Sequence, residues 1–387
     1  MLPPNGNVHL KIDEIIFMSH NKQMKILYFG AYNLDYPRNS ILRHGLFLHK
    51  WDVDICQCAV NVNPIVQNWI LLKKVLSFSN KDWDAIFLAE RGQNVALLAW
   101  ILSRLMNKPL IVDFLYSRYN TQMEKRAILP NSFSGKILWF LDWLSLRLGD
   151  LVVCDTKSHI IYYASEFYLN PTKATPIYLG VETRIYKPRL DAVQEKKRIF
   201  FWGSYTPSHG TEIIVKTADL LKDRTDLEFF LVGNGPTYKE TVKLAKSLNL
   251  SNITFVPWMK QEELAELASQ AYIVIGAVGK TPKAMRCICF KEFQGLAMKK
   301  PVITAETPAA KEVFTHGENI LMCAAADSSS LAAAITALLT DDYLRSKISS
   351  NGYELVVNCY STEKIGEALS NTLVNFLENM PRNRTCH

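Results

Sequence analysis

No apolar stretch free of charge reaches the roughly 20 residues that a bilayer span requires. The nearest, ILWFLDWLSLRL at 137–148, is short and carries Asp142 and Arg147. Cysteine is present but not patterned: there is no CxxC and no Cys/His cluster, and the close pairs Cys56/Cys58 and Cys287/Cys289 lie inside apolar runs. That argues against a disulfide framework and against zinc, and it fits a reducing, cytoplasmic setting. The first 23 residues lack a signal-peptide core; Pro3, Pro4, Gly6 and the polar run 19–23 read as a loose extension before Met24. No nucleic-acid motif is recognisable.

One further absence bears on function. A dinucleotide oxidoreductase is expected to carry Gly-x-Gly-x-x-Gly after its first strand. Here that strand runs into GAYNLDYPRN, with Gly30 alone. The clustered glycines fall much later, in WGSYTPSHGT (202–211) and VGNGPT (232–237).

With 387 residues, 48% hydrophobic and 21% charged, the chain is too long for one ordinary core and too apolar for disorder. The first half reads as strands alternating with helices: KILYFGAY (25–32), 53–60, DAIFLAE (84–90), PLIVDF (109–114), LVVCDT (151–156) and TPIYLG (175–180). The second half restarts the pattern with RIFFWG (198–203), LEFFLVG (227–233), ITFVPW (253–258), YIVIGA (272–277) and PVITAE (301–306). Such alternation predicts parallel, doubly wound sheets. The expected organisation is a first Rossmann-like domain over 24–182, a linker over 183–197, a second Rossmann-like domain over 198–359, and a C-terminal helix and tail over 360–387 that crosses back to the first domain. A ligand cleft should lie between the two.

Charge divides unevenly. Residues 1–189 hold 22 Lys and Arg against 15 Asp and Glu, a balance of +7, whereas residues 190–387 hold 22 of each. A basic solvated surface explains this; so does a first half that meets an anionic lipid surface or a phosphorylated carrier.

Two segments carry candidate chemistry. SHG at 208–210 stands between a strand and an apolar-periodic helix. A helix N-terminus offers unpaired N–H groups and the positive dipole end, which suits a diphosphate. The second segment, 280–294, gathers Lys280, Lys283, Arg286 and Lys291 ahead of a short helix with Gln294 in its first turn. A basic loop at the carboxyl end of a strand is where an α/β sheet binds anions. Beyond it, Thr307 and Pro308 read as the N-cap and first residue of another helix.

At this point FQGLAMKKPVIT (293–304) resembles the segment of retaining glycosyltransferases of family four that reads Glu-Ala-(Leu/Met)-Ala-x-Gly-(Lys/Arg)-Pro-Val-Ile. VGNGP, the HG turn and YLGVETRIYKP are similar in order and spacing. KTPKAMRC, TAETPAAKEVF and YNLDYPRNSILRHGL resemble one subgroup of that family. The resemblance runs from about Met24 to near 378. It implies the GT-B arrangement, a nucleotide-sugar held by the second domain, an acceptor on the first, and a hexosyltransferase working without a metal ion or other cofactor, as in polysaccharide biosynthesis. The family's phosphate-binding Arg and Lys fall at Ser204 and His209, and its two Glu residues at Arg286 and Gln294.

The resemblance places donor-binding roles on Gly203, His209, Gly210, Lys280, Glu292 and Gln294, with the nucleobase near Gly233, Asn234, Gly235 and Trp258. Gly30 would open the floor of the cleft. Lys283, Arg286 and Asp113 are the catalytic candidates, the first two facing the departing diphosphate and Asp113 a sugar hydroxyl; a helix-capping role for Asp113 is its structural alternative. The acceptor is a glycan, a lipid-linked molecule or a small molecule, with peripheral contact to the inner face of a membrane. Two alternatives share this architecture: a nucleotide-sugar epimerase, which would gather carboxylates and histidines in the cleft, and a non-catalytic nucleotide-sugar-binding protein.

Overall fold

The computed structural model describes residues 23–125, 127–129, 131–189 and 196–380. The extension before Gln23, residues 190–195 of the expected linker and the last seven residues of the tail lie outside the described residues.

The chain forms two six-stranded sheets in which every recorded pairing is parallel. In the first, β1 (Lys25–Ala31), α1 (Pro37–Leu48), β2 (Asp52–Cys58), α2 (Pro64–Ser77), β3 (Ala85–Leu88), α3 (Ala96–Leu105) and β4 (Leu110–Asp113) follow in turn. They continue with α4 (Arg118–Glu124), α5 (Phe133–Leu148), β5 (Leu151–Cys154), α6 (Lys157–Phe167) and β6 (Ala174–Pro176). The strand order is β2-β1-β3-β4-β5-β6.

The second sheet is built from β7 (Lys197–Gly203), α7 (Thr211–Leu220), β8 (Leu227–Gly233), α8 (Tyr238–Ser247), β9 (Ile253–Val256) and α9 (Gln261–Ala268). Next come β10 (Ile273–Ile275), α10 (Phe290–Ala297), β11 (Val302–Ala305), α11 (Pro308–Lys311) and β12 (Leu321–Cys323), ordered β12-β11-β10-β7-β8-β9. Three helices close the chain: α12 (Ser328–Thr340), α13 (Asp342–Cys359) and α14 (Thr362–Glu378).

The central strands are buried on both faces because helices cover both sides, which is why they read as continuous apolar runs. Leu27 and Phe29 of β1 pack into the core under α2, α3 and α5. The alternate residues Ile26 and Tyr28 pack beneath α1 and α14. The last helix therefore lies on the first sheet, close against α1: a Cβ on Gly45 would come within 2.6 Å of Gly366 Cα. Thr307 accepts from Ala310 N–H at 3.0 Å with Pro308 as the first helical residue, so that helix start is as the sequence predicts.

The strand expected over 175–180 stops at Pro176. The next two carbonyls are taken by the buried guanidinium of Arg38, whose Nη1 donates to Ile177 O at 2.6 Å and Tyr178 O at 3.1 Å.

Candidate functional site

The carboxyl ends of the two sheets face a cleft of about 1040 Å³, the place where open α/β sheets take ligands. Its second-sheet wall begins at the turn between β7 and α7. Gly203 ends the strand at φ +158°, and a Cβ there would stand 2.9 Å from His209 Cε1. Gly210, at φ +66°, is the residue before α7; its Cβ would stand 2.6 Å from Gly279 N. Both positions need glycine, one to let the imidazole in and one to let two backbones meet.

His209 is 8% exposed, borders the cleft, and has an Nδ1 with no hydrogen-bond partner. Burial, and then Lys291 and Lys283, hold its imidazole well below the usual histidine range, so the ring is neutral at physiological pH. Lys291 and Gln294 are three apart on α10, hence on one helical face, and both line the cleft. Lys291 is 3% exposed with its Nζ 5.0 Å above the Phe201 ring. The Oε1 of Gln294 accepts from Trp202 Nε1 at 2.9 Å, which leaves its amide N–H groups for a ligand. Lys283 reaches the cleft from the loop before α10 and pairs with Glu124 at 3.5 Å.

Several expected residues stand elsewhere. Asp113 is sealed beneath the cleft in a buried ion pair, 2.8 Å from Arg38 Nη2, and is neither facing a sugar nor capping a helix. Glu292 is buried outside the cleft lining, with Oε1 accepting from Ala277 N at 2.9 Å and Thr304 Oγ1 at 3.0 Å, so it ties α10 to the ends of β10 and β11. Arg286 does not line the cleft; its guanidinium lies 3.6 Å from the centre of the Tyr162 ring, across on the first-sheet side. Lys280 is exposed outside the cleft lining. Gly30 is buried against Tyr32 and Ala89, with no opening to the cleft.

The VGNGP loop lies behind the β7 turn. A Cβ on Gly233 would stand 2.1 Å from Gly203 O, and one on Gly235 would stand 1.7 Å from Ser204 O. These glycines support the turn; Asn234 is exposed away from the cleft and its Oδ1 accepts from Gly235 N–H. Trp258, 61% exposed, is the member of the expected base-binding group that does border the cleft.

The first-sheet wall holds a pair outside the expected site residues. Asp155 Oδ1 lies 2.5 Å from His159 Nδ1, both line the cleft, and the ring stacks on Tyr163 with an interplanar angle of 3°. The available signal was an Asp and a His four apart across a strand end and a helix start. Lys291, one of the four cations of that basic segment, carries a signal of its own in its i,i+3 spacing from Gln294.

Comparison with known proteins agrees with this architecture. Residues 182–355 match the family described as Glycosyl transferases group 1. The chain is 25% identical to an uncharacterized glycosyltransferase, MJ1178, of Methanocaldococcus jannaschii, over 91% of this chain and 90% of that protein. Among solved structures it resembles sucrose-phosphate synthase from Thermosynechococcus elongatus, with a TM-score of 0.71 at 16% identity, covering 92% of this chain and 100% of that one. It also resembles Anabaena Alr3699/HepE in complex with UDP-glucose, with a TM-score of 0.69 at 17% identity, covering 91% of this chain and 100% of that one. Two facing Rossmann-like sheets with a cleft between them are thus the GT-B fold.

Proposed function

We propose that this chain, a glycosyltransferase of group 1, moves a hexosyl unit from a nucleoside-diphosphate sugar to an acceptor hydroxyl with retention at the anomeric carbon. The observation that carries the reading is the convergence of Lys291, Lys283, Gln294 and a neutral His209 on one wall of the cleft, at the turn leading into α7. In the reaction the bond from C1 to the diphosphate oxygen breaks and its electron pair leaves with the diphosphate. The acceptor oxygen bonds to C1 on the same face, and its proton passes to the departing phosphate oxygen. The largest demand is for positive groups and N–H donors where that charge develops. The two lysines and the uncharged imidazole supply them, in place of a resident cofactor or metal. Gln294 donates to a ribose hydroxyl, and Trp258 offers a face to the base.

A UDP-sugar is the first donor to test, since the Anabaena protein of the same fold is described with UDP and UDP-glucose. Glycan and lipid-linked hydroxyls are the acceptor classes to offer. The experiment is a thermal-shift panel of UDP, GDP, ADP and dTDP, then release of free diphosphate from the matching sugar and the anomeric configuration of the product by NMR. A ligand at a hundred times its dissociation constant adds about 2.7 kcal/mol. No shift with any diphosphate overturns the donor site, and a product of inverted configuration overturns the retaining step. Binding without diphosphate release, even with acceptors present, would favour the non-catalytic reading.

A further inference from the structure

Nineteen large apolar side chains stand exposed among the described residues, and the second sheet and its helices hold three of them: Leu220, Trp258 and Tyr343. The other sixteen all belong to the first half of the chain. Ten sit on α2, α3 and α5, including Ile65 and Phe133, each 80% exposed, with Trp69, Leu105 and Phe140. These helices already bury one face: Leu71 and Val75, Ala96 and Ala99, and Leu146 pack on the first sheet. Their opposite faces carry the ten exposed apolar side chains. An exposed apolar patch of this breadth marks an interaction surface.

The three helices are joined into one surface. Asn68 of α2 donates to Asn94 O at 3.1 Å in the turn before α3. Leu97 and Ile101 of α3 and Phe140, Leu141 and Leu144 of α5 border a shared groove of about 470 Å³.

Charge identifies the occupant. The helices carry Lys73, Lys74, Arg104, Lys136 and Arg147 against a single carboxylate, Asp142. Asp142 is buried and accepts from Ser117 Oγ and from the N–H groups of Arg118 and Tyr119. Arg104 is paired with Asp150 at 2.9 Å; Lys73 lies with Nζ 4.9 Å from the centre of the Trp69 ring. A second copy docked on a two-fold axis would bring this positive face against itself. Aromatic side chains interleaved with cations on an apolar face fit the headgroup layer of an anionic bilayer, where rings sit at the interface and lysine stems snorkel. No described helix is long and apolar enough to cross a membrane, so the contact is peripheral.

We infer that the α2–α3–α5 face docks on an anionic lipid bilayer. The cleft then opens beside the membrane: Gln93, which borders the groove, donates through Nε2 to the backbone oxygen of Tyr116, a residue of the cleft wall.

The test is flotation of the full chain with vesicles of phosphatidylcholine alone and of equal parts phosphatidylcholine and phosphatidylglycerol. Expected is binding to the mixed vesicles, weakened as salt rises from about 0.1 M to about 1 M. The double variant Lys73→Glu with Lys136→Glu should lose roughly tenfold or more in partition, as should Trp69→Ser with Phe133→Ser. All four positions are exposed, so folding is checked by an unchanged melting temperature. Negligible binding to both vesicle types overturns the inference, as does binding that neither variant weakens. A wild-type dimer that the variants dissolve, with no vesicle binding, reassigns the face to self-association. UDP thermal shifts run on the same samples read the donor site separately, so either conclusion can fail alone.

Discussion

Glu312, the residue after α11, holds Ser158 in the first turn of α6 on the other sheet. Its carboxylate accepts from Lys157 N at 2.7 Å, Ser158 N at 2.8 Å and Ser158 Oγ at 2.5 Å, and from the Tyr178 hydroxyl at 3.1 Å. A carboxylate at the positive end of α6 is a favourable electrostatic arrangement, and here it also ties the two halves of the cleft together. Thr156 Oγ1, donating to Arg286 O at 2.7 Å, adds a second tie beside it.

Glu312→Gln keeps the size of the side chain and removes the charge. The halves should separate more readily, at a cost of about 1–2 kcal/mol to the closed arrangement. Amide hydrogen exchange at 157–161 should accelerate, and small-angle scattering should show a larger radius of gyration. Unchanged exchange at those amides would show that Glu312 does not hold the cleft.

For the diphosphate, Lys291→Ala should cost about 1.5–3 kcal/mol of UDP affinity, the worth of a charge-assisted hydrogen bond, as read by calorimetry. Lys283→Ala should cost less, because its ion pair with Glu124 already engages the ammonium group. Arg286→Ala should leave affinity nearly unaltered, since that guanidinium rests on Tyr162 outside the cleft lining. If Arg286→Ala proves the most damaging of the three, the assignment of roles is wrong.

Part of this arrangement is legible in the chain itself. Strand runs such as LEFFLVG are legible because burial on both faces leaves an unbroken apolar string, and Gln294 is legible through its place in FQGLAMKKPVIT. Asp113 could not be placed, because its partner Arg38 lies 75 positions earlier and only the fold brings them to 2.8 Å. Glu292 and Gln294 are two apart on one helix and so point to different sides; spacing alone does not say which side is the cleft. The glycines of VGNGP meet backbone at Gly203 and Ser204, and close approach of one backbone to another demands glycine as firmly as approach to a ligand, so the sequence does not separate the two.

The pH dependence of stability follows from His209. Its folded-state pKa lies below the unfolded value of about 6.5. The contribution of the neutral, buried ring is therefore complete above that pH. As pH falls below it, the unfolded chain takes up a proton that the folded chain refuses, and stability declines. His209→Gln should flatten this part of the profile, so that its melting temperatures at about pH 5.5 and pH 7.5 lie closer together than those of the parent. An unaltered gap between the two would place the acid sensitivity elsewhere.

The last expectation concerns the wall facing the lysines. With Nδ1–H donated to Asp155, the Nε2 of His159 is left as a hydrogen-bond acceptor. In the cleft it can accept a hydrogen bond from a second hydroxyl of the acceptor and so hold the reacting oxygen toward the sugar, leaving the reacting proton free to pass to the phosphate. Stacking on Tyr163 fixes the ring plane, so the aim is preorganised. Asp155→Asn would let Nδ1 accept and turn Nε2 into a donor, reversing that polarity without removing the ring. Transfer to the acceptor should then fall on the order of a hundredfold, the scale of a misaligned reacting group. UDP affinity and slow hydrolysis of the donor should persist, because neither uses the acceptor hydroxyl. His159→Gln, which retains an acceptor oxygen, should lose less than His159→Ala. Equal losses of transfer and of UDP affinity in Asp155→Asn would mean that the pair only supports the cleft wall.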